Sequence, residues 1–204
     1  MANRNSAGFG FIPAGTLGNT PSTQGLSEYF IVAADSVNKF NGMGVRVTAG
    51  YIVTGEDSAT GTSVGVLQGI FYNAATTLKP TFKNYYPGSI TPPASADIEA
   101  FVYDNPNQMF EIQSDATGAS ELADVLSNAD MVNFGGSTIN GVSNTELDDS
   151  TIKASSDVAA QLLIIGPSRD PKNNDVTDTG GNVNWRVLVN MHLFGHGVGT
   201  VGAG

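Results

Sequence analysis

A chain of 204 residues suits one all-β domain, or one domain with an arm, and it is long enough to bury a core without help from a disulfide or a metal. It has no cysteine, which excludes disulfides, thiolate zinc sites, iron–sulfur clusters and a cysteine nucleophile. Its formal charge is −10 and only 14% of its residues are charged, so neutral polar side chains dominate the surface and no nucleic-acid partner is expected.

The charge is uneven. Residues 1–96 carry 5 basic and 4 acidic groups, residues 97–157 carry 1 and 12, and residues 158–204 carry 3 and 3, so the middle segment holds the whole excess. Such a cluster reads either as a solvated face or as a docking face for a basic partner. No apolar run approaches the ~20 residues of a membrane span, and the opening Met1–Ser6 lacks the apolar stretch of a secretory leader. A soluble, cytoplasmically made protein with no membrane partner is therefore expected.

From the N-terminus, residues 1–24 are Gly- and Pro-bearing with no usable periodicity around Phe9, Phe11, Ile12 and Leu17. They read as an arm that adds no strand to the core and docks these apolar side chains on a neighbour. Deleting them is expected to leave a folded domain with weakened binding. Period-two alternation, which places successive side chains on opposite sheet faces, then marks Gly44–Tyr51, Ile98–Tyr103, Gln108–Gln113 and, most extensively, Val183–Leu193. In the last of these, Val183, Trp185, Val187, Val189, Met191 and Leu193 share one face. Glu28–Val32, Ser63–Tyr72 and Val158–Ile165 are more continuously apolar, as strands covered on both faces are. Asn41-Gly42 and Asn140-Gly141 suit tight turns, and Asp104–Asn107 reads as the turn of a hairpin. Short helices are expected at Ala33–Phe40 and Ser120–Ser127. The pattern predicts an all-β fold: a single β-barrel or sandwich, jelly-roll-like, over residues 25–194, with the extended arm before it and a Gly-rich tail at 195–204.

Motifs for chemistry are sparse. His192 and His196 are four apart, which on a strand separates them by about 13 Å, too far to share an ion, and a strand-end surface role is expected. No Gly-x-Ser-x-Gly elbow and no phosphate-binding Gly-x-x-x-x-Gly-Lys loop occurs. Asp97, Glu99, Asp104 and Glu111 lie on neighbouring predicted strands as a glycosidase pair would require, with Tyr85 and Tyr86 as the available sugar platforms. Asp175 and Asp178 in Asn173–Gly181 offer an incomplete calcium loop. The expectation is a non-enzyme with no catalytic residue, cofactor or metal.

Specific strings add to this reading. Tyr29–Ser36 (YFIVAADS), Gly65–Phe71 (GVLQGIF), Val102–Gln113 (VYDNPNQMFEIQ), Glu146–Thr151 (ELDDST) and Asn182–His192 (NVNWRVLVNMH) keep the order and approximate spacing of a family of tailed-bacteriophage head decoration, or cement, proteins, which the chain resembles. It departs at Gly42–Val45, where that family usually has a charged or Gly-Asp step, and in a longer Asp/Asn loop after Pro171. The resemblance implies a virion protein made in a bacterial host. It would bind the outer surface of the phage head, bridge major capsid protein subunits and stabilise the DNA-filled shell. Symmetry at local threefold positions implies a homotrimer, and Phe9, Phe11, Ile12 and Leu17 are the expected partner contacts. The alternatives are a virion-displayed carbohydrate-binding or host-attachment module, and a low-copy connector or tail component.

Overall fold

The computed structural model describes residues 3, 7–18, 25–56, 61–153, 160–178 and 181–195. Twelve strands follow in chain order: β1 (Ile12–Thr16), β2 (Ser27–Ile31), β3 (Gly44–Thr48), β4 (Tyr51–Thr54), β5 (Gly65–Asn73), β6 (Pro80–Lys83), β7 (Ile98–Tyr103), β8 (Gln108–Gln113), β9 (Asn128–Val132), β10 (Glu146–Lys153), β11 (Leu162–Pro167) and β12 (Asn184–Val189). They form two antiparallel sheets in a sandwich-like, all-β arrangement, ordered β1-β8-β12-β11-β9-β10 and β2-β7-β5-β3-β4, with β6 also on β5.

The alternating strands bury the faces their sequences mark. Ile98, Ala100 and Val102 point into one apolar cluster with Ile31, Val45, Leu67 and Ile70. Phe110, Ile112, Trp185 and Val187 point into another with Met131, Leu147 and Leu162. Each of the larger of these side chains contributes roughly 1.5–3 kcal/mol by leaving water. On β5, Val66 enters one cluster and its neighbour Leu67 the other, so the start of this strand is covered on both faces, while Phe71 further along faces outward. β2 and β11 instead alternate, and Phe30 on β2 faces outward.

Several local expectations are corrected. The run Gly44–Tyr51 is two strands, because Ala49 and Gly50 both take positive φ and reverse the chain between β3 and β4. Asp104–Asn107 joins no hairpin: β7 pairs with β2 and β5, β8 pairs with β1 and β12, and the turn carries the chain from one sheet to the other. Turn residues specify that the chain bends, not which strands pair. Ala33–Phe40 forms no helix. Ala34 has φ 61°, and Lys39 bridges to Tyr86, its buried ammonium held 2.6 Å from Asp35 and over the Tyr86 ring. Ser120–Ser127 keeps a single 3-10 turn at Leu122–Asp124, where Glu121 N donates to Asp124 Oδ2 at 2.6 Å.

The expectation that the first 24 residues add no strand is likewise corrected. Ile12–Thr16 lies against β8 at the edge of its sheet, and Phe11 is buried edge-on to Phe110, with ring centroids 5.6 Å apart. Phe11 N donates to Gly42 O at 2.8 Å, and Gly42, at φ 78°, leaves no room for a Cβ beside Phe11 O. The Asn41-Gly42 turn thus receives this segment.

Candidate interaction surface

Of the four apolar side chains expected to meet a partner, Phe11 belongs to the chain's own core, Phe9 is half-buried, and Ile12 and Leu17 are 50% and 45% exposed at β1. The sheet beneath them explains the division: alternation along an edge strand turns one residue in and the next out. Residues 19–24 of the proposed arm, His196 and the rest of the Gly-rich tail lie outside the described residues.

A larger apolar surface is built on the other sheet. Across β2, β7, β5 and β6 the register aligns Phe30, Glu99, Phe71 and Phe82 in one row, and Glu28, Phe101 and Gly69 in the next. Because Ile98, Ala100 and Val102 turn inward, Glu99 and Phe101 turn outward, and their cross-strand partners share that face. Phe30 is 48% exposed and Phe82 56%, while Phe71 and Phe101 are half-buried. Phe82 lies over Gly69, where a Cβ would stand 2.7 Å from its ring, and its centroid is 6.0 Å from that of Phe101. The missing side chain at Gly69 is what lets the ring lie down on the sheet. The result is an aromatic patch with two carboxylates, Glu28 and Glu99, set among the rings. Sequence periodicity contained the Phe101 position, whereas Phe30 lay in a run expected to be covered on both faces, and a four-strand row becomes visible only once the register is known.

The residues weighed for chemistry are dispersed. Asp97 accepts from Tyr51 Oη at 3.2 Å, Asp104 from Tyr29 Oη at 2.8 Å, and Glu111 from Asn184 Nδ2 at 3.4 Å on the other sheet. Tyr86 is fully buried and donates to Asp35 O at 2.7 Å, and Tyr85 stacks on Phe40 and donates to Thr138 O at 3.2 Å. Tyr86 therefore presents no face to a sugar. Asp178 accepts from Asn3 N at 2.6 Å and Asp175 from the Thr177 hydroxyl at 2.6 Å. The acidic side chains that do meet are others, the adjacent Asp148 and Asp149 with Asp115, which is more than thirty positions away.

His192 is not at a strand-end surface. β12 ends at Val189, and the following segment bridges Ser63, tying one sheet to the other: Ser63 N donates to Met191 O and Leu193 N to Ser63 O, both at 2.8 Å. The imidazole is buried, its Nδ1 accepts from Phe194 N at 3.0 Å, and its Nε2 has no hydrogen-bond partner among the described residues. Burial pulls its pKa from 6.5 down to about 4, against the weaker opposing pull of Asp104. The unfolded chain thus takes up a proton near pH 6.5 and the folded one only near pH 4. This group's stabilisation is full above pH 6.5 and is lost as pH falls toward 4, by about 3 kcal/mol. Replacement by Asn, which keeps an acceptor for Phe194 N but does not titrate, is expected to flatten the stability–pH curve over that interval. Burial raises the pKa of Glu146 and Asp149, whose effect runs the other way and remains in both proteins. Denaturant melts of the two proteins from pH 7 to 4 isolate the His192 contribution. Parallel curves would contradict the assignment.

Comparison of the chain with known protein families, with curated proteins and with solved structures finds no match.

Proposed function

We propose that this protein acts through contact area, as a decoration or cement protein on the outer surface of a tailed-phage head. There, as a homotrimer, it bridges neighbouring major capsid protein subunits. The observation that carries the reading is the outward aromatic row of Phe30, Phe71 and Phe82 with Phe101 beside it. Clustered exposed aromatics with a few polar groups between them are what a desolvated protein contact uses, because rings bring large area at little side-chain entropy. Glu28 and Glu99 on the same face favour a capsid surface that is apolar and basic, in keeping with the acidic excess of residues 97–157. The resemblance carried by the strings quoted above supports the virion assignment, and the exposed Ile12 on edge strand β1 and Leu17 just after it provide a second contact for an adjoining protomer. The work of such a protein is to add interface free energy between shell subunits against the outward pressure of packaged DNA.

The test has two parts. Quantitative mass spectrometry of purified particles produced from the genome that carries this sequence is expected to find about one copy per shell subunit. A few copies per hundred would favour the connector or tail role, and absence from particles would overturn the virion assignment. The double variant Phe30→Ser, Phe82→Ser is expected to stay folded with a modestly lower melting temperature, since about half of each ring is exposed, yet to bind stripped particles more than about 30-fold more weakly, as loss of one or two aromatic anchors does. Undiminished binding would remove this face from the contact.

A further inference from the structure

The sheet ordered β1-β8-β12-β11-β9-β10 curls until its last strand reaches back to its second. Ser114, the residue after β8, pairs with Leu147 of β10 in a parallel bridge, and Asp115 N donates to Leu147 O at 3.0 Å. Three carboxylates converge on this seam: an oxygen from each of Asp115, Asp148 and Asp149 lies within 4.8 Å of the others. Asp148 and Asp149 are neighbours, and a regular strand would send them to opposite faces. Both reach the seam because β10 slips its register against β9 between Asp148 and Lys153.

The local donors meet this charge only in part: Thr117 N and Asp149 N donate to Asp115 Oδ1 at 3.2 and 3.3 Å and Ser150 N to Asp148 Oδ1 at 2.9 Å, but none reaches Asp149 Oδ2. The Thr117 hydroxyl stands 2.8 Å from Asp115 Oδ1 and 3.3 Å from Oδ1 of both Asp148 and Asp149, yet its single proton serves one of them. Gly118 N donates to Asp149 Oδ1, and the Ser150 hydroxyl to Asp148 Oδ1 at 2.6 Å. No basic side chain among the described residues pairs with any of the three. Independently of the clustering, Asp149 is only 4% exposed and its Oδ2 is buried without a hydrogen-bond partner. The carboxylate that brings this orphan oxygen is the one that enters the cluster. A buried carboxylate oxygen without a donor is costly unless a cation or a proton meets it.

We infer that Asp115, Asp148 and Asp149, with the Thr117 hydroxyl, form a calcium site that clamps the end of β8 to β10. The donors are all oxygen, which selects a hard cation over zinc. Carboxylate oxygens gathered within 4.8 Å of one another can all reach one Ca²⁺ with bonds of about 2.4 Å. Carboxylates brought together from a loop and a slipped strand suit the irregular geometry that Ca²⁺ accepts. The ion would neutralise the mutual repulsion and close the seam, a role separate from the aromatic contact face.

The full-length protein, stripped with chelator, is titrated with calcium chloride alone and followed by melting temperature and by calorimetry. One bound Ca²⁺ per chain is expected, with a rise of several degrees in melting temperature and a much smaller response to Mg²⁺. Asp148→Asn and, separately, Asp115→Asn are expected to abolish the calcium response while leaving the metal-free melting temperature equal to or above that of the parent, because each removes one of three crowded charges. A merely structural hydrogen-bonding role for these residues would lower the metal-free value in both variants, and that result overturns the inference. So does the absence of a calcium response in the parent, an equal response to Mg²⁺, or a calcium response that survives both substitutions.

Discussion

Deletion of residues 1–24 is expected to destabilise the folded chain severely, in contrast to the intact domain that the sequence of this segment suggests. The deletion takes away two things the fold uses. Phe11 leaves the cluster it shares with Phe110, Met131 and Trp185, and large-to-small replacement of a buried Phe costs about 3–5 kcal/mol because the cavity collapses only in part. β1 also leaves the edge of β8, so the backbone groups that paired from Ile12 to Thr16 lose their partners and a hydrophobic sheet edge is opened. Phe11→Ala alone isolates the first effect, and its melting temperature is expected to fall by roughly 10 °C. A chain of residues 25–204 that melts like the parent would show that β1 is dispensable, and the capsid-binding experiment could then use the truncated protein.

Trp185→Ala is expected to cost about 3–5 kcal/mol. The side chain is wholly buried on β12, opposite Ile112 of β8 and Pro167 of β11, in the cluster it shares with Phe11, Phe110 and Met131. Trp185→Phe is expected to cost much less than Ala. It leaves a smaller void, and it removes an indole N–H that is buried without a hydrogen-bond partner among the described residues, so no polar interaction is lost with it. Denaturant unfolding of the three proteins at one pH tests the order. Equal losses for Ala and Phe would mean that the N–H has an acceptor, such as a bound water.

The parts of the fold legible in advance share one cause. In β7, β8 and β12 each residue's orientation follows from its parity along the strand, so Ile98, Ala100, Val102, Phe110, Ile112, Trp185 and Val187 could be placed inside from sequence alone. Gly42 and Gly141 take the positive φ that their Asn-Gly context invites. What failed was pairing over distance. Asp104–Asn107 looks like a hairpin turn because local chemistry is the same whether the next strand returns to its neighbour or crosses to another sheet. The arm looked unstructured because a five-residue edge strand containing Pro13 and Gly15, with a register slip between them, has no regular alternation to read.

The contact face and the acidic seam show the same division more sharply. Phe30, Phe71, Phe82 and Phe101 come from four strands, and Asp115 is more than thirty positions from Asp148 and Asp149. The amino-acid sequence by itself determined an all-β chain, its inward-facing residues and its freedom from cysteine chemistry, because composition and period-two patterning act within a few residues of one another. Tertiary structure alone decided that Phe11 is core, that His192 is buried where the sheets meet, and which rings and which carboxylates become neighbours. Sheet order and register join positions tens of residues apart, and no local propensity encodes that choice.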